Sequence, residues 1–247
     1  MGVIRGSSYY TIVDGPSWTQ AEENAIALGG NLVAVDSEEE NDFLVNSIGG
    51  GFWIGLTDAE EEGVWKWSSG SEVGYTNWAV AQPNNGVNLD DGSTQNYAWI
   101  HPHFSGRWDD HWDQHDWYNP LSGTALGIAE VPLSYFSVSD LTIEEGEKGK
   151  VTISRTGGTQ SSQTLTLTTS DGTAVVGDDY GRKNKTLTFA AGETSKTVNI
   201  VSKEDSLIEG DETFTLTLSA SGADAVPAQI SDGVATVTIT DDDQPTY

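Results

Sequence analysis

The sequence predicts a mixed α+β domain followed by an all-β sandwich. Composition changes near residue 133, since all nine Trp residues, from Trp18 to Trp117, precede it and the remainder is rich in Thr, Ser, Gly and Val. Helix signals occur in the first part, whereas the second part alternates polar and apolar residues as β-strands do. We therefore expect domains at residues 1–133 and 134–247, with a short stiff linker at 129–137.

Two helices are predicted in the first domain. In SWTQAEENAIALG (17–29), Ser17 is a suitable N-cap and apolar residues recur on one face. In DSEEENDFLVNSI (36–48), Ser37 can cap the first turn, and three Glu residues lie at the positive end of the helix dipole. Glycine pairs or runs follow both segments and are expected to end the helices.

Short apolar runs predict the strands of the first domain, and they leave one long polar segment between them. The runs are NLVAV (31–35), GFWIGL (51–56), GVWKWSSG (63–70), NYAWI (96–100) and GIAEV (127–131). Residues 74–96 are mostly polar and rich in oxygen-bearing side chains. Long loops in compact domains are uncommon unless they bind something, so this segment is a candidate binding loop.

Period-two alternation predicts the strands of the second domain. The segments are KVTISR (150–155), QTLTLTTS (163–170), KTLTFA (185–190), KTVNIVS (196–202), ETFTLTLSA (212–220) and GVATVTITD (233–241). Turn sequences rich in Gly and Asp separate them. About seven strands at this spacing predict an antiparallel sandwich of immunoglobulin-like architecture.

Charge restricts the partners that the chain is expected to bind. The formal net charge is −27, from 38 acidic and 11 basic residues. Nucleic acid and anionic membrane surfaces are polyanions and would be repelled, so we expect neither as a partner. No apolar run reaches the roughly 18 residues that span a bilayer. There is no Cys, and Met1-Gly2 does not open a signal peptide, so the chain is expected to be a fragment of a larger multidomain protein.

Five motifs follow one another in the first domain. They are FWIGLTD (52–58), GVWKWSSG (63–70), YTNWAVAQPNN (75–85), GRWDD (106–110) and GIAEV (127–131). Their order resembles the C-type lectin-like fold over residues 7–131. The resemblance implies a loop-bound Ca²⁺ that also binds two sugar hydroxyls, because calcium takes six to eight oxygen ligands and an open position accepts a diol.

Carried over motif by motif, the resemblance places calcium ligands in two triplets. Gln82 and Asn84 flank Pro83, whose peptide bond is cis in the family, and Asp109 and Asp110 follow a Trp in the second triplet. The triplet QPN combines features of the mannose-associated and galactose-associated patterns, so it assigns no sugar. An alternative is a lectin-like fold that has lost calcium and binds a protein or peptide.

A further ligand is expected from the loop between the two triplets. Counting back from the strand NYAWI puts Gln95 at the position that is acidic in the family. The loop is longer than usual, however, and also offers Asp90 and Asp91. We expect one of these two carboxylates to bind, because amides alone would make a weak site.

The segment HWDQHDWYNPLSG (111–123) is an insertion relative to the family pattern. Its aromatic residues Trp112, Trp117 and Tyr118 either contact a sugar or protein ligand or cover the core. Four His residues and two Asp residues in and near it also permit a zinc site. These six residues are His101, His103, His111, His115, Asp113 and Asp116.

Four acidic motifs mark the second domain. They are IEEG (143–146), SDGTAVVGDDY (170–180), EDSLIEGDETF (204–214) and VTITDDD (237–243). They resemble the Calx-beta domain over residues 135–243. The resemblance implies that the motifs meet at one end of the sandwich and bind two or more Ca²⁺ ions, since so many carboxylates would otherwise repel one another. The implied ligands are Glu145, Asp179, Asp205, Glu209, Glu212, Asp241, Asp242 and Asp243.

These features predict a calcium-dependent lectin fragment of a secreted or cell-surface adhesin of bacterial type. The first domain would bind a glycan, and the second would be a spacer made rigid by calcium. Without Cys, a GxSxG elbow or an HExxH motif, we expect no enzyme. Ice binding is a minor alternative, because the first domain shows no flat Thr-rich array.

Overall fold

The computed structural model describes residues 2–90, 92–101, 103, 105–113 and 126–244. The chain divides into two compact units, Met1–Pro132 and Leu133–Tyr247. Each unit has its own cluster of buried apolar side chains. Across the described ranges, no helix is long and apolar enough to cross a membrane.

The first unit is a mixed α+β domain. Its described elements are β1 (Val3–Arg5), β2 (Ser8–Asp14), α1 (Trp18–Ala27), β3 (Asn31–Leu32), α2 (Glu38–Ser47), β4 (Phe52–Thr57), β5 (Lys66–Trp67), β6 (Tyr97–Ile100), β7 (Trp108–His111) and β8 (Leu126–Pro132). Within the described residues, they form a sheet with the order β1-β2-β8-β4-β6-β7, to which β3 and β5 add at β8 and β4. The pairing of β4 with β8 is parallel, and the other pairings are antiparallel.

Both predicted helix starts are confirmed. The Ser17 side chain accepts a hydrogen bond from the Gln20 backbone N–H at 3.1 Å, and the Ser37 side chain accepts one from Glu40 at 3.3 Å. Each serine satisfies an amide that has no partner within its own helix. The helices pack their apolar faces toward the sheet, with Ala21, Ala25 and Leu44 fully buried.

The second unit is an all-β sandwich. Its described strands are β9 (Ser134–Val138), β10 (Leu141–Glu144), β11 (Lys148–Gly157), β12 (Gln163–Ser170), β13 (Asn184–Phe189), β14 (Ser195–Val201), β15 (Glu212–Ala220), β16 (Gln229–Asp232) and β17 (Val234–Thr240). One sheet has the order β10-β17-β15-β12-β13 and the other β14-β11-β9-β16, over the residues the structure describes. Alternate side chains such as Leu165, Leu167 and Phe214 fill the core between them.

Three expectations from the sequence are wrong in detail. The predicted linker at 129–137 is mostly strand, because β8 ends at Pro132 and β9 begins at Ser134. The sandwich is not wholly antiparallel: β10 pairs in parallel with β17, and β16 with β9. The run NLVAV forms only a two-residue strand, although the Val33 backbone still hydrogen-bonds to Ile128 and Gly55 of the neighbouring strands. Local alternation predicts a strand but carries no information about its partner.

Candidate functional site

The long loop of the first unit is fixed against strand β7. The Trp108 backbone N–H donates to the Asn77 carbonyl at 2.8 Å, and the Ala79 N–H donates to the Trp108 carbonyl at 2.8 Å. Trp108 is fully buried in the core, so it is a rigid anchor for the loop. These bonds bring the QPN triplet beside the residues that follow Trp108.

Asp110 joins the two predicted triplets. Its carboxylate accepts the Asn84 backbone N–H at 3.0 and 3.1 Å and the Asn85 N–H at 2.7 Å. Asp110 is fully buried and lies opposite Ala98 in the pairing of β6 with β7. A rigid sheet therefore positions the carboxylate, and the loop folds around it.

The other members of the triplets lie at the surface of the same region. The Gln82–Pro83 peptide bond is cis. Asn84 is exposed, and Asp109 and Gln82 are half-buried. Burial, together with the neighbouring Asp110 carboxylate, raises the pKa of Asp109 to about 6. A carboxyl group in this state gains stability when a cation replaces its proton.

Gln95 reaches the position between the triplets. Its Oε1 accepts the Gly86 backbone N–H at 2.7 Å, and the residue is 9% exposed. A Cβ at Gly86 would lie 2.4 Å from Gln95 Oε1 and 3.3 Å from Asn84 Oδ1, so both amide oxygens border the same small space. Asp90 instead lies exposed in a turn, where its N–H donates to Asn88 Oδ1 at 2.9 Å. Asp91 lies outside the described residues.

Four buried side-chain oxygens in this region have no hydrogen-bond partner among the described residues. They are Asp58 Oδ1, Gln82 Oε1, Asn85 Oδ1 and Asn96 Oδ1. Asp58 is 3% exposed, and its backbone N–H donates to the Asn96 carbonyl at 3.2 Å. Burial raises the pKa of Asp58, and Asp110 raises it further. Leaving a buried acceptor unsatisfied costs about 1–3 kcal/mol, so the oxygens fit a site that a cation completes.

Sequence reasoning missed Asp58, Asn85 and Asn96. A signal for two of them was present, because Asp58 directly follows the apolar run FWIGLT and Asn96 opens the run NYAWI. Polar residues at the ends of adjacent buried strands come together at one sheet edge. The Asn85 position was harder to predict, because it depends on how the loop turns around Asp110.

The aromatic insertion is described only at its start. The Trp112 indole N–H donates to the Ser93 carbonyl at 3.2 Å, which places this half-buried ring against the binding loop. Trp117 and Tyr118 lie outside the described residues. Two members of the possible zinc site, His115 and Asp116, also lie outside them, so that site stays a prediction.

Two groups of three carboxylates meet at one end of the second unit. Glu145, Asp241 and Asp243 form the first, with ligand oxygens all within 4.8 Å of one another. Asp179, Glu209 and Glu212 form the second under the same limit. Both groups consist of residues predicted from the Calx-beta motifs. Glu145 follows β10, Glu212 begins β15 and Asp241 follows β17, so strand pairing brings them to one end.

The two groups are adjacent and electrostatically strained. The Asp241 carboxylate accepts the Glu209 and Gly210 backbone N–H groups at 2.7 and 2.8 Å, which lowers its pKa. Burial and the nearby Asp205 raise the pKa of Glu145, whereas burial and Asp179 raise that of Glu212. Within one cluster, Asp241 therefore has backbone donors, whereas Glu145 and Glu212 lie among like charges that a cation would balance.

The remaining predicted ligands of the second unit lie at the margin of these groups. Asp205 caps a turn by accepting the Leu207 N–H at 2.7 Å, and it acts electrostatically on Glu209 and Asp243. Asp242 is exposed. The Oδ2 atom of Asp243 is buried and has no hydrogen-bond partner within the described part of the chain. An orphaned carboxylate oxygen beside other carboxylates fits a calcium site.

Comparison with known proteins finds a different family for each part of the chain. Residues 14–117 match the C-type lectin domain family, and residues 128–243 match the Calx-beta domain family. A perlucin-like protein of Mytilus galloprovincialis is 38% identical over 101 residues, covering 37% of this chain and 65% of the relative. Human asialoglycoprotein receptor 2 is 36% identical over 109 residues, covering 43% of this chain and 34% of the receptor. The chain therefore spans only part of either relative.

One solved structure is similar to part of the chain. The crystal structure of the apo-form Calx CBD1 domain is 26% identical, with a TM-score of 0.42, and covers 45% of this chain and 99% of that domain. The perlucin-like protein and the receptor are both animal proteins and give no support to the expected bacterial context. The C-type lectin and Calx-beta models match the chain in the predicted order, and the predicted fold class, a mixed α+β lectin-like domain followed by an all-β sandwich, is confirmed.

Proposed function

We propose that the chain is the calcium-dependent carbohydrate-binding part of a secreted or cell-surface adhesin. The observation that carries the proposal is that Asp110 of the second triplet binds the backbone of Asn84 and Asn85 in the loop of the first, and that Gln82 of that loop has a buried Oε1 with no hydrogen-bond partner in the described residues. The family match and the name of the receptor relative, which refers to a glycoprotein, support a glycan as the ligand.

The ligand set proposed for this calcium ion has charge and oxygen donors suited to it. Gln82, Asn84, Gln95, Asp109 and Asp110 supply amide and carboxylate oxygens from the loop and from β7. Calcium accepts six to eight oxygens, so five residues leave positions for the hydroxyls of a sugar. We include Gln95 as the ligand between the triplets in place of Asp90 or Asp91. Its Oε1 accepts the Gly86 N–H and borders the same space as Asn84 Oδ1.

The second domain is proposed to bind calcium as a structural element. Its two carboxylate groups, Glu145 with Asp241 and Asp243, and Asp179 with Glu209 and Glu212, each offer three oxygen ligands. Neutralising this end of the sandwich would order the loops that carry the ligands. Such a domain would present the lectin domain at a distance from the surface to which the whole protein is attached.

The test is a glycan array with the full chain in millimolar calcium and again with excess chelator. We expect calcium-dependent binding of a subset of glycans, and loss of that binding when Gln82, Asn84, Asp109 and Asp110 are all changed to alanine. Binding that persists in chelator would overturn the proposed mechanism. No glycan binding, with calcium still raising the melting temperature, would favour the second candidate.

The second candidate is binding of a protein or peptide through the aromatic insertion. The observation that favours it is the position of Trp112, whose ring is held against the binding loop by Ser93 and remains partly exposed. Aromatic side chains are enriched at interface hot spots. A Trp112→Ala variant that keeps its calcium affinity but loses a protein partner would support this function.

Glycan and calcium affinity are expected to fall between pH 7 and pH 5. In the calcium-free protein the pKa of Asp109 is raised to about 6, so a proton competes with calcium below that pH. One competing proton weakens calcium binding by up to about tenfold per pH unit below the pKa. Calorimetric titration at pH 5 and pH 7 measures the effect. The Asp109→Asn variant should bind calcium more weakly and without this pH step; equal wild-type affinities at both values would contradict the assignment.

A further inference from the structure

The first domain contains very few cations. Only three of the 11 Lys and Arg residues, Arg5, Lys66 and Arg107, lie in it. Arg5 is paired with Glu40 at 3.2 Å, and Lys66 with Glu60 at 2.8 Å. These two charges are therefore already balanced by carboxylates.

The third cation, Arg107, is exposed and does not balance the Asp109 carboxylate, because burial and Asp110 account for the raised pKa of Asp109. Arg107 acts electrostatically on Tyr75 together with the acidic residues of α2. Among the described residues of the first domain, no Lys or Arg is therefore seen to pair with a carboxylate of the candidate calcium site.

Carboxylates, in contrast, are present at the site. Asp58 is 3% exposed and Asp110 is fully buried, and Asp110 acts electrostatically on both Asp58 and Asp109. The Oδ1 of Asp58 is buried and has no hydrogen-bond partner among the described residues. Glu62 is near Asp58, and Glu61 donates its backbone N–H to the Asp58 carbonyl at 3.0 Å. A single Ca²⁺ ion does not neutralise the three buried or half-buried carboxylates, so the loaded site keeps a negative field.

Resting on the proposed lectin function, we propose that the site selects glycans by charge and accepts neutral sugars or amino sugars. Glycans that place a sialic acid, uronic acid or sulfate next to the calcium-bound sugar are rejected, because their anionic groups meet carboxylates and no Lys or Arg that the structure describes. A free amino group in the same place is favoured. At about 8 Å and an effective dielectric constant near 20, a like charge weakens binding on the order of tenfold or more.

The test compares one calcium-dependent neutral glycan with three derivatives that differ only in a sulfate, a sialic acid or a free amine. Calorimetry with the full chain in millimolar calcium gives the affinities at low and high ionic strength. We expect the anionic derivatives to bind at least about tenfold more weakly and the amine more tightly, and both differences to shrink with salt. Anionic derivatives that bind as tightly as the neutral glycan overturn the inference and leave the lectin function intact.

Two variants that each replace a glutamate with a lysine distinguish the effect of the charges near the site from the effect of the net charge of the protein. Glu61→Lys places a cation beside Asp58, whereas Glu23→Lys makes the same change on the exposed face of α1. We expect Glu61→Lys to reduce the discrimination against sulfated glycan several-fold and Glu23→Lys to leave it unchanged. Equal effects of the two variants would contradict a local origin. A chain that binds no glycan in calcium removes the proposed function and this inference together.

Discussion

Replacing Asp110 with asparagine is expected to weaken calcium binding by the first domain on the order of 100-fold and to abolish calcium-dependent glycan binding. Asp110 is fully buried, and its carboxylate accepts the backbone N–H groups of Asn84 and Asn85. In the proposed site it would therefore supply a charge to the calcium, and it also fixes the loop that carries the other proposed ligands. No other described carboxylate connects the two triplets in this way.

Two substitutions separate the roles of Asp110. Asparagine keeps one acceptor oxygen for the loop and removes the charge, whereas alanine leaves both amides unpaired, at about 1–3 kcal/mol each. We therefore expect Asp110→Ala to lower stability without calcium by a few kcal/mol and Asp110→Asn to lower it less. Both variants should lose calcium affinity to a similar extent, because both lack the charge.

A calcium titration monitored by Trp fluorescence tests this prediction, because all nine Trp residues lie in the first domain. The matched control is Asp42→Asn, which makes the same charge change at an exposed position on α2. It should bind calcium and glycan like the wild type. Calcium affinity within threefold of wild type in Asp110→Asn would show that the ion is held elsewhere.

The two triplets of the candidate site could be recognised in the sequence because they belong to local motifs. Gln82 and Asn84 flank one proline, and Asp109 and Asp110 follow one tryptophan, so a short window identifies each pair. The ligand between the triplets stays a prediction. Chemical type favoured the carboxylates of the loop, whereas the fold turns Asp90 outward and brings the Gln95 amide to Gly86. Ligand geometry in a long loop depends on hydrogen bonds between residues distant in sequence.

The second domain shows a different limit. Alternation predicted six of its strands, since each buries one face, but the short strands β9, β10 and β16 were not recognised. Strand β10 pairs in parallel with β17, and that pairing brings Glu145 to Asp241 and Asp243. The acidic motifs contain the carboxylates that meet in the structure, but only the pairing of strands distant in sequence sorts them into two groups.

Calcium is expected to stabilise the second domain strongly. Each ion present at 100 times its dissociation constant adds about 2.7 kcal/mol to the free energy of unfolding, so two ions add about 5 kcal/mol. For a domain of this size, 1 kcal/mol shifts the melting temperature by roughly 4–8 °C. Differential scanning calorimetry of the full chain should therefore show a transition that moves upward by about 20 °C or more in calcium and returns in chelator.

The pH dependence of the second domain's melting temperature should reverse when calcium is present. Without calcium, the folded pKa values of Glu145 and Glu212 lie above their unfolded values, so the folded state binds protons more tightly. These groups therefore raise stability as the pH falls from neutral through their folded pKa. With calcium bound, protons compete with the ion, and the calcium-induced shift should instead grow from pH 5 to pH 7.

Neighbouring glutamates provide a matched pair of variants. Glu145 belongs to the first carboxylate group, whereas the adjacent Glu144 is exposed on β10. Glu145→Gln should remove about half of the calcium-induced shift and raise the melting temperature in chelator, because it relieves repulsion among the carboxylates. Glu144→Gln should keep the full shift. If both variants retain it, the first carboxylate group does not hold an ion, and the stabilisation arises from calcium bound elsewhere in the chain.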